Sequence, residues 1–392
     1  MTHFDVVIVG AGAAGMMAAI EAGKRGRKVL IFDHARSPGE KVRISGGGRC
    51  NFTNTQTRPD RFLSQNPRFA ISALARYTPA HFIKLVERYG IAFHEKTLGQ
   101  LFCDGSSQQI INLLTAEMAH AGVTLQLGTS LERAEKTENG FRLALSGGPV
   151  TCASLIVASG GKSIPKMGAT GLGYQLATQF GLRVTETRPA LVPLTFEPGM
   201  LERLAPLAGV AADVTVSANK KTFAEAMLFT HRGLSGPAIL QISSFWREGD
   251  AIGIDLLPGL DLAETLRRAR KETPKLALQT VLGEHLPKRL AQMKAEEIGL
   301  PGQIGDLSDA KFARVEAALK HWTIKPTGSE GYRTAEVTLG GVDTADLDSA
   351  TMAARNVSGL HFIGECLDVT GWLGGYNFQW AWSSGWAAGQ VA

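Results

Sequence analysis

Three groups of residues have the types and spacing of a phosphate and ring cradle. Near the start, Gly10-Ala11-Gly12-Ala13-Ala14-Gly15 sets three glycines in the spacing Gly-X-Gly-X-X-Gly. Gly10 serves a tight turn, Gly12 lets backbone N–H groups approach a pyrophosphate, and Gly15 permits close packing of helix on strand. Ala13 and Ala14 complete the turn, and the helix that follows it has its positive end facing the phosphates. Asp33 offers a carboxylate to the ribose hydroxyls of an adenosine with a free 2′-OH. In the second group, Gly46, Gly47 and Gly48 precede Arg49 and let the backbone lie flat against a ligand, with Lys41, Arg43, Ser45, Cys50 and Asn51 crowded around them. The third group closes the chain: Gly364, Glu365 and Asp368, then Gly374, Gly375, Tyr376 and Asn377.

Residues for chemistry are harder to choose. His231, inside Thr230-His231-Arg232-Gly233-Leu234-Ser235-Gly236-Pro237, has two readings, a proton donor or anion contact and a side chain that orients a loop. Cys50 and Cys366 belong to no redox dithiol, and a free cysteine commonly serves as a small buried hydrophobe. Tyr376 is the third candidate. No His, Cys or carboxylate cluster has metal-ligand spacing, so no metal is expected.

The elements that must position these groups begin with an apolar β-branched strand, Phe4 to Val9, a helix from Met16 to Gly26 and a second strand, Lys28 to Phe32. Together they form a βαβ unit. A helix from Ser107 to Ala121, a strand Thr124 to Leu127, a hairpin around Phe141 to Leu145 and a buried strand Leu155 to Val157 follow, the last delivering Ser159 and Gly160. From about Pro189 the alternation changes to that of antiparallel strands, which predicts an inserted β-barrel. A helical subdomain is nested in it: Leu257-Pro258-Gly259 opens it, Thr273-Pro274 reads as an N-cap with proline at the first helical position, and Ser308-Asp309 caps a helix ending near Trp322. The closing strand Leu360 to Ile363 and the helix Tyr376 to Gly389 return to the first domain. The fold class is α/β, with a Rossmann-type domain over 1–188 and 340–392, the barrel over 189–257 and 323–339, and the helical part over 258–322.

The run Ser45-Gly46-Gly47-Gly48-Arg49-Cys50-Asn51-Phe52-Thr53-Asn54 resembles the YhiN/BaiN-like bacterial flavoproteins, whose nucleotide domain is related to those of glutathione reductase and succinate dehydrogenase. The likeness recurs, in family order, at Ala158 to Pro165, Gly168 to Tyr174, Leu228 to Pro237, Val337 to Val342 and Gly364 to Gly389. The resemblance implies noncovalent FAD, with NAD(P)H as candidate electron donor. It places Leu131 at the adenine, Glu365 at the ribityl or pyrophosphate region, and the N-terminus of the last helix at the pyrimidine edge of the ring. It also implies an FAD-dependent oxidoreductase working by hydride transfer, reducing a conjugated double bond of a small organic substrate as bile-acid-reducing members do. Other members go by the name aminoacetone oxidase, so an oxidase of a small amine or ketone is one alternative. A flavin-containing RNA-modifying or RNA-binding protein is another, and a non-catalytic flavin sensor a third. Trp372-Leu373 departs from the polar or acidic residues usual there and would line the substrate side with apolar surface.

Composition narrows the classes. A hydrophobic share of 44% over 392 residues supports a large core in two or three structural units. The net charge of +5 and pI near 9.0 suggest nucleic acid, but the basic residues read as scattered, with no stripe of interleaved aromatics, so a small-molecule partner is expected and nucleic acid is not. Four cysteines without a Cys-X-X-Cys pair favour a reducing cytoplasm. Met1-Thr2-His3 leads straight into a strand and no apolar run is long enough to span a bilayer, so a soluble protein without signal peptide or membrane partner is expected. Substrate, physiological donor and oligomeric state are not encoded in any of these patterns.

Overall fold

The computed structural model describes all 392 residues and resolves them into two units, Met1–Arg188 with Val337–Ala392, and Pro189–Glu336. In the first, the buried β-branched runs pair as a parallel sheet in the order Thr124–Leu127, Val29–Asp33, Thr2–Val9, Gly148–Val157. The long strand Gly148–Val157 divides its other edge. Its first half pairs antiparallel with Gly140–Leu145, which continues to Leu131–Thr137, and its second half pairs parallel with Leu360–Phe362. The closing strand is thereby set next but one to the opening strand.

Helix Ala13–Lys24 follows the glycine turn, and helix Tyr376–Gly389 lies against it. Small residues make that approach close. A Cβ on Gly385 would stand 2.5 Å from the Ala14 carbonyl oxygen, and one on Gly389 would stand 2.6 Å from Glu21 Cβ. The far side of the last helix carries its bulk: Trp382 stacks on Phe82 with centroids 4.2 Å apart and gives its indole N–H to the Phe52 carbonyl at 2.8 Å. A three-stranded sheet of Asn51–Asn54, Gln100–Cys103 and Phe93–Glu95 and the helices Ile71–Arg76 and Pro79–Arg88 complete this side.

The second unit holds a seven-stranded sheet whose pairings are all antiparallel, in the order Trp322–Ile324, Ile252–Asp255, Ala211–Ala218, Lys221–Thr230, Gly233–Ser235, Leu194–Thr195, Gly328–Ser329. The first and last strands of that path follow each other in the chain. Helices Leu262–Glu272, Leu278–Leu282, Lys288–Ile298 and Asp309–Lys320 fill the stretch between Asp255 and Trp322. One cap differs from expectation. Thr273 ends the helix Leu262–Glu272, with its N–H on the Ala269 carbonyl, and Pro274 stops it; the cap that starts that helix is Asp261, which accepts from Glu264 N at 2.9 Å. Ser308 caps Asp309–Lys320 by accepting from Lys311 N. No helix is long and apolar enough to cross a membrane.

Candidate dinucleotide and ring site

Three loops converge at the carboxyl ends of the parallel strands, where open α/β sheets bind their ligands. Gly10 N donates to Phe32 O, Ala158 N to Val9 O and Ile363 N to Val157 O, each at 2.9–3.0 Å. The loops touch: a Cβ on Gly10, whose φ is 106°, would lie 2.6 Å from Ala158 O, and one on Gly364 would lie 2.8 Å from Ala14 Cβ. A Cβ on Gly15 would meet Gly10 O at 2.0 Å, so its bare backbone lets the helix start against the strand.

Gly12 differs from these neighbours. Its φ is an ordinary −84° and a Cβ there meets nothing within 4 Å, so the protein itself does not require glycine at this position. The helix it caps has no side-chain cap and no acid in its first turn, leaving the first N–H groups facing that open space. Asp33 organises the turn: its carboxylate accepts from Ala11 N at 2.8 Å and Ala35 N at 2.9 Å. His34 Nδ1 also stands 3.2 Å from Oδ1, while Oδ2 keeps lone-pair capacity for a further donor.

The Ser45–Gly48 turn is a second backbone surface. The helix beginning at Glu40 breaks where Ser45 turns extended, and Gly46, Gly47 and Gly48 follow with φ of 58°, 67° and 86°. A Cβ on Gly47 or Gly48 would meet nothing, whereas one on Gly46 would strike Asn51 N and the Phe102 ring at 2.9 Å. Arg49 is exposed. Arg43 is turned to Gln108 and Pro38 O, within its own helix–helix corner. Ser159 Oγ is buried with no hydrogen-bond partner, and a Cβ on Gly160 would find only Glu365 Oε2, at 3.9 Å. Leu131, half-buried, opens an edge strand opposite Leu145.

At the C-terminal group several of the expected residues hold neighbouring loops by hydrogen bonds. Glu365 accepts from Lys41 Nζ at 2.8 Å, Ser163 Oγ at 2.8 Å and Thr338 N at 3.0 Å. Asp368, buried, accepts from Gln65 N at 2.8 Å, and burial holds its carboxyl above the usual range. Asn377 exchanges bonds with the Gly371 backbone, accepting from its N–H at 2.8 Å and donating to its oxygen at 2.9 Å. Gly374 O accepts from Asn54 Nδ2 at 2.8 Å. Gly375, with φ of 93°, lies where a Cβ would stand 2.3 Å from Thr53 O, and its N–H reaches Asn51 Oδ1 at 3.2 Å with that amide oriented to satisfy its neighbours. The close strand Asn51–Asn54 thus itself requires glycine at this position. Sequence reading missed Gln379, Ser384 and Trp380. Trp380 Nε1 donates to Gly364 O at 3.0 Å, Ser384 Oγ accepts from Gly364 N at 3.0 Å, and Gln379 ties Thr53 to Tyr77 O. Their helical spacing on an apolar segment hid them among core positions.

The candidates for chemistry separate. Cys50 is fully buried at φ 50°, and burial, against a hydrogen bond to Ser45, pushes its thiol up to about 12. A thiol so held stays protonated and is no nucleophile at neutral pH. Tyr376 is buried, its ring edge-on to Phe62 at 6.1 Å. His231 is exposed at the turn between Lys221–Thr230 and Gly233–Ser235 of the second unit. No group of His, Cys, Asp or Glu is placed to hold a metal.

The expected scatter of basic residues does not hold in the first unit. Residues 34–96 carry eleven Lys and Arg against four Asp and Glu, an excess larger than the +5 of the whole chain. They belong to the segment that surrounds the glycine turn and the last helix.

The family model described as HI0933-like protein Rossmann domain matches residues 4–391. The chain belongs to the HI0933-like family. This HI0933-like chain is 52% identical to the ribosomal RNA dihydrouridine synthase of Escherichia coli, over 100% of its own length and 98% of that protein's. It is 46% identical to the protein of the same name from Haemophilus influenzae, over 98% and 97%. It is 30% identical to the 3-dehydro-bile acid delta(4,6)-reductase of Clostridium scindens, over 98% of each. Among solved structures it resembles the 3-ketosteroid-delta4-(5alpha)-dehydrogenase of Rhodococcus jostii, with a TM-score of 0.51, 14% identity and coverage of 99% and 97%, which speaks for the fold alone. The HI0933-like chain is an FAD-dependent oxidoreductase. Its residues fit the cofactor: open space over Gly12, Gly47 and Gly48, unpaired first-turn N–H groups, and the partnerless buried Ser159 Oγ all face what a flavin dinucleotide would supply.

Proposed function

We propose that this protein reduces the C5=C6 bond of uridine in ribosomal RNA to give dihydrouridine, with NAD(P)H as the source of electrons. The observation that carries the reading is the end-to-end similarity, at 52% identity, to a protein named for that reaction. The more distant relative named as a bile acid reductase supports the bond type. In uracil, as in an unsaturated 3-oxo steroid, the reduced C=C is conjugated to a carbonyl, so one carbon accepts hydride while the other takes a proton. The same bond chemistry was expected from the sequence, on a small organic substrate; RNA, set aside there because the charge read as scattered, becomes the favoured substrate once the 34–96 excess is recognised.

Bound FAD would supply the hydride. The chain's own part is positioning. The Gly10–Gly15 turn, Asp33, the Gly46–Gly48 turn and the Ser159–Gly160 turn would bind the dinucleotide. The clamp of Glu365 by Lys41, Ser163 and Thr338, and of Gly364 by Trp380 and Ser384, fixes the loops around it. The test incubates purified holoprotein with ribosomal RNA lacking dihydrouridine, with NADH and with NADPH, without oxygen. Nucleoside mass spectrometry should find one uridine heavier by two hydrogens. RNA unchanged with both donors, while a steroid enone is reduced, would return the function to the small-molecule reading.

A further inference from the structure

We infer that Arg61 and Trp372 form a stacking platform for the pyrimidine ring of an RNA substrate, with Arg68 taking a flanking phosphate. This rests on the RNA reading above. The two platform residues are joined by backbone and side chain. Phe62–Leu63 pairs with Thr370–Gly371, Trp372 N donates to Arg61 O at 3.0 Å, and the guanidinium carbon sits 4.1 Å from the indole centroid. Trp372 lies three residues before Gly375, the N-cap of the last helix, and neither Trp372 nor Arg61 is fully buried.

Two further observations point to a ligand. Arg61 Nε is buried with no hydrogen-bond partner, a costly state that a carbonyl oxygen of the base would relieve. Arg68 follows Arg61 by seven residues and is exposed, within the basic stretch 34–96, whereas Arg58 is held by Asp60 at 2.8 and 3.1 Å. A flat aromatic ring backed by a guanidinium that belongs to a basic stretch of chain is complementary to an unpaired base on a phosphate chain. Uracil has weak stacking of its own, so a large indole contributes most where the base must be held out of its strand.

The probe is a fluorescein-labelled single-stranded oligouridylate of about twelve nucleotides, within the span of single-strand sites, bound to FAD-loaded protein and read by anisotropy over a series of salt concentrations. Trp372→Ala should weaken binding about five- to a hundredfold, the range for loss of one base–aromatic stack. Trp372→Phe should restore most of it. Arg61→Ala should weaken binding with FAD content unchanged, and Arg68→Ala should reduce the slope of log K against log salt by about 0.7. With ribosomal RNA, Trp372→Ala should raise KM more than it lowers kcat. Affinity of Trp372→Ala within twofold of the parent, or Trp372→Phe as weak as the alanine variant, overturns the platform, as does a parent protein that does not bind the probe. A parent that binds oligouridylate through Trp372 but reduces no uridine keeps the platform and overturns the proposed reaction instead.

Discussion

The glycines of the cradle are not equivalent, and the difference can be measured. A Cβ at Gly12 meets only open space at an ordinary φ, so Gly12→Val should leave the apoprotein folded with an unchanged Tm while FAD retention falls by tenfold or more. Absorbance of the released flavin and near-UV circular dichroism would check both halves; FAD retained at parent level would mean that the pyrophosphate lies elsewhere. Gly15→Val is the contrasting case, since its Cβ would collide with Gly10 O and should damage the fold itself. Gly375 belongs with Gly15, because Thr53 O blocks it, and a change there would confuse cofactor and backbone effects. At Cys50 the opposite result is expected. With its thiol pushed up to about 12, Cys50→Ala should keep FAD and turnover within about threefold, at a stability cost of roughly 1 kcal/mol; loss of turnover in a flavin-replete variant would restore the cysteine as a catalytic candidate.

Among the elements, the last helix does the most joining. One face is small, Gly385 and Gly389 against Ala14 and Glu21, and the other carries Trp382 on Phe82. Replacing Gly385 by Leu forces a side chain toward the Ala14 carbonyl and should destabilise by about 1–3 kcal/mol or more. Because Trp380 and Ser384 hold Gly364 from the same helix, FAD affinity should fall together with Tm in this variant. Thermal melts with and without added FAD test the coupling; a lower Tm with unchanged FAD affinity would show that the helix is only scaffold. Trp382→Ala removes a fully buried ring and its bond to Phe52 O, and about 3–5 kcal/mol is the usual cost.

For the whole molecule, the four thiols give a pH signature. Burial raises Cys50, Cys152 and Cys366 to about 12 and Cys103 to about 11, from an ordinary 9.0. The folded chain therefore keeps protons that the unfolded chain releases above pH 9, so the contribution is fully present below that value and is lost as pH rises toward 11 and 12. Denaturant midpoints should decline from about pH 9 upward, and more shallowly in Cys152→Ala than in the parent. Parallel declines would mean that the thiols do not carry the effect.

What the sequence determined by itself was local. Strand, glycine turn, helix and acid of the first βαβ unit lie within about thirty residues, and their periodicity and turn chemistry are sufficient to declare a nucleotide cradle and, with the family motifs, its flavin. The glycines of Gly46 to Gly48 were equally legible, because consecutive positive φ values are a property of residue type. Tertiary structure decided which of these residues face open space and which face protein. Glu365 reads as a ligand contact in the sequence, and only the structure shows Lys41, Ser163 and Thr338, two of them far off in the chain, gathered around it. Asn377 and Gly375 read the same way, and only the structure shows their neighbours Gly371, Asn51 and Thr53. Charge did not follow this rule: the excess of Lys and Arg over 34–96 lies in one stretch of the sequence and was legible there. The physical reason is that a donor or acceptor shows its type in the sequence, while its partner is chosen by the long-range packing that buries both.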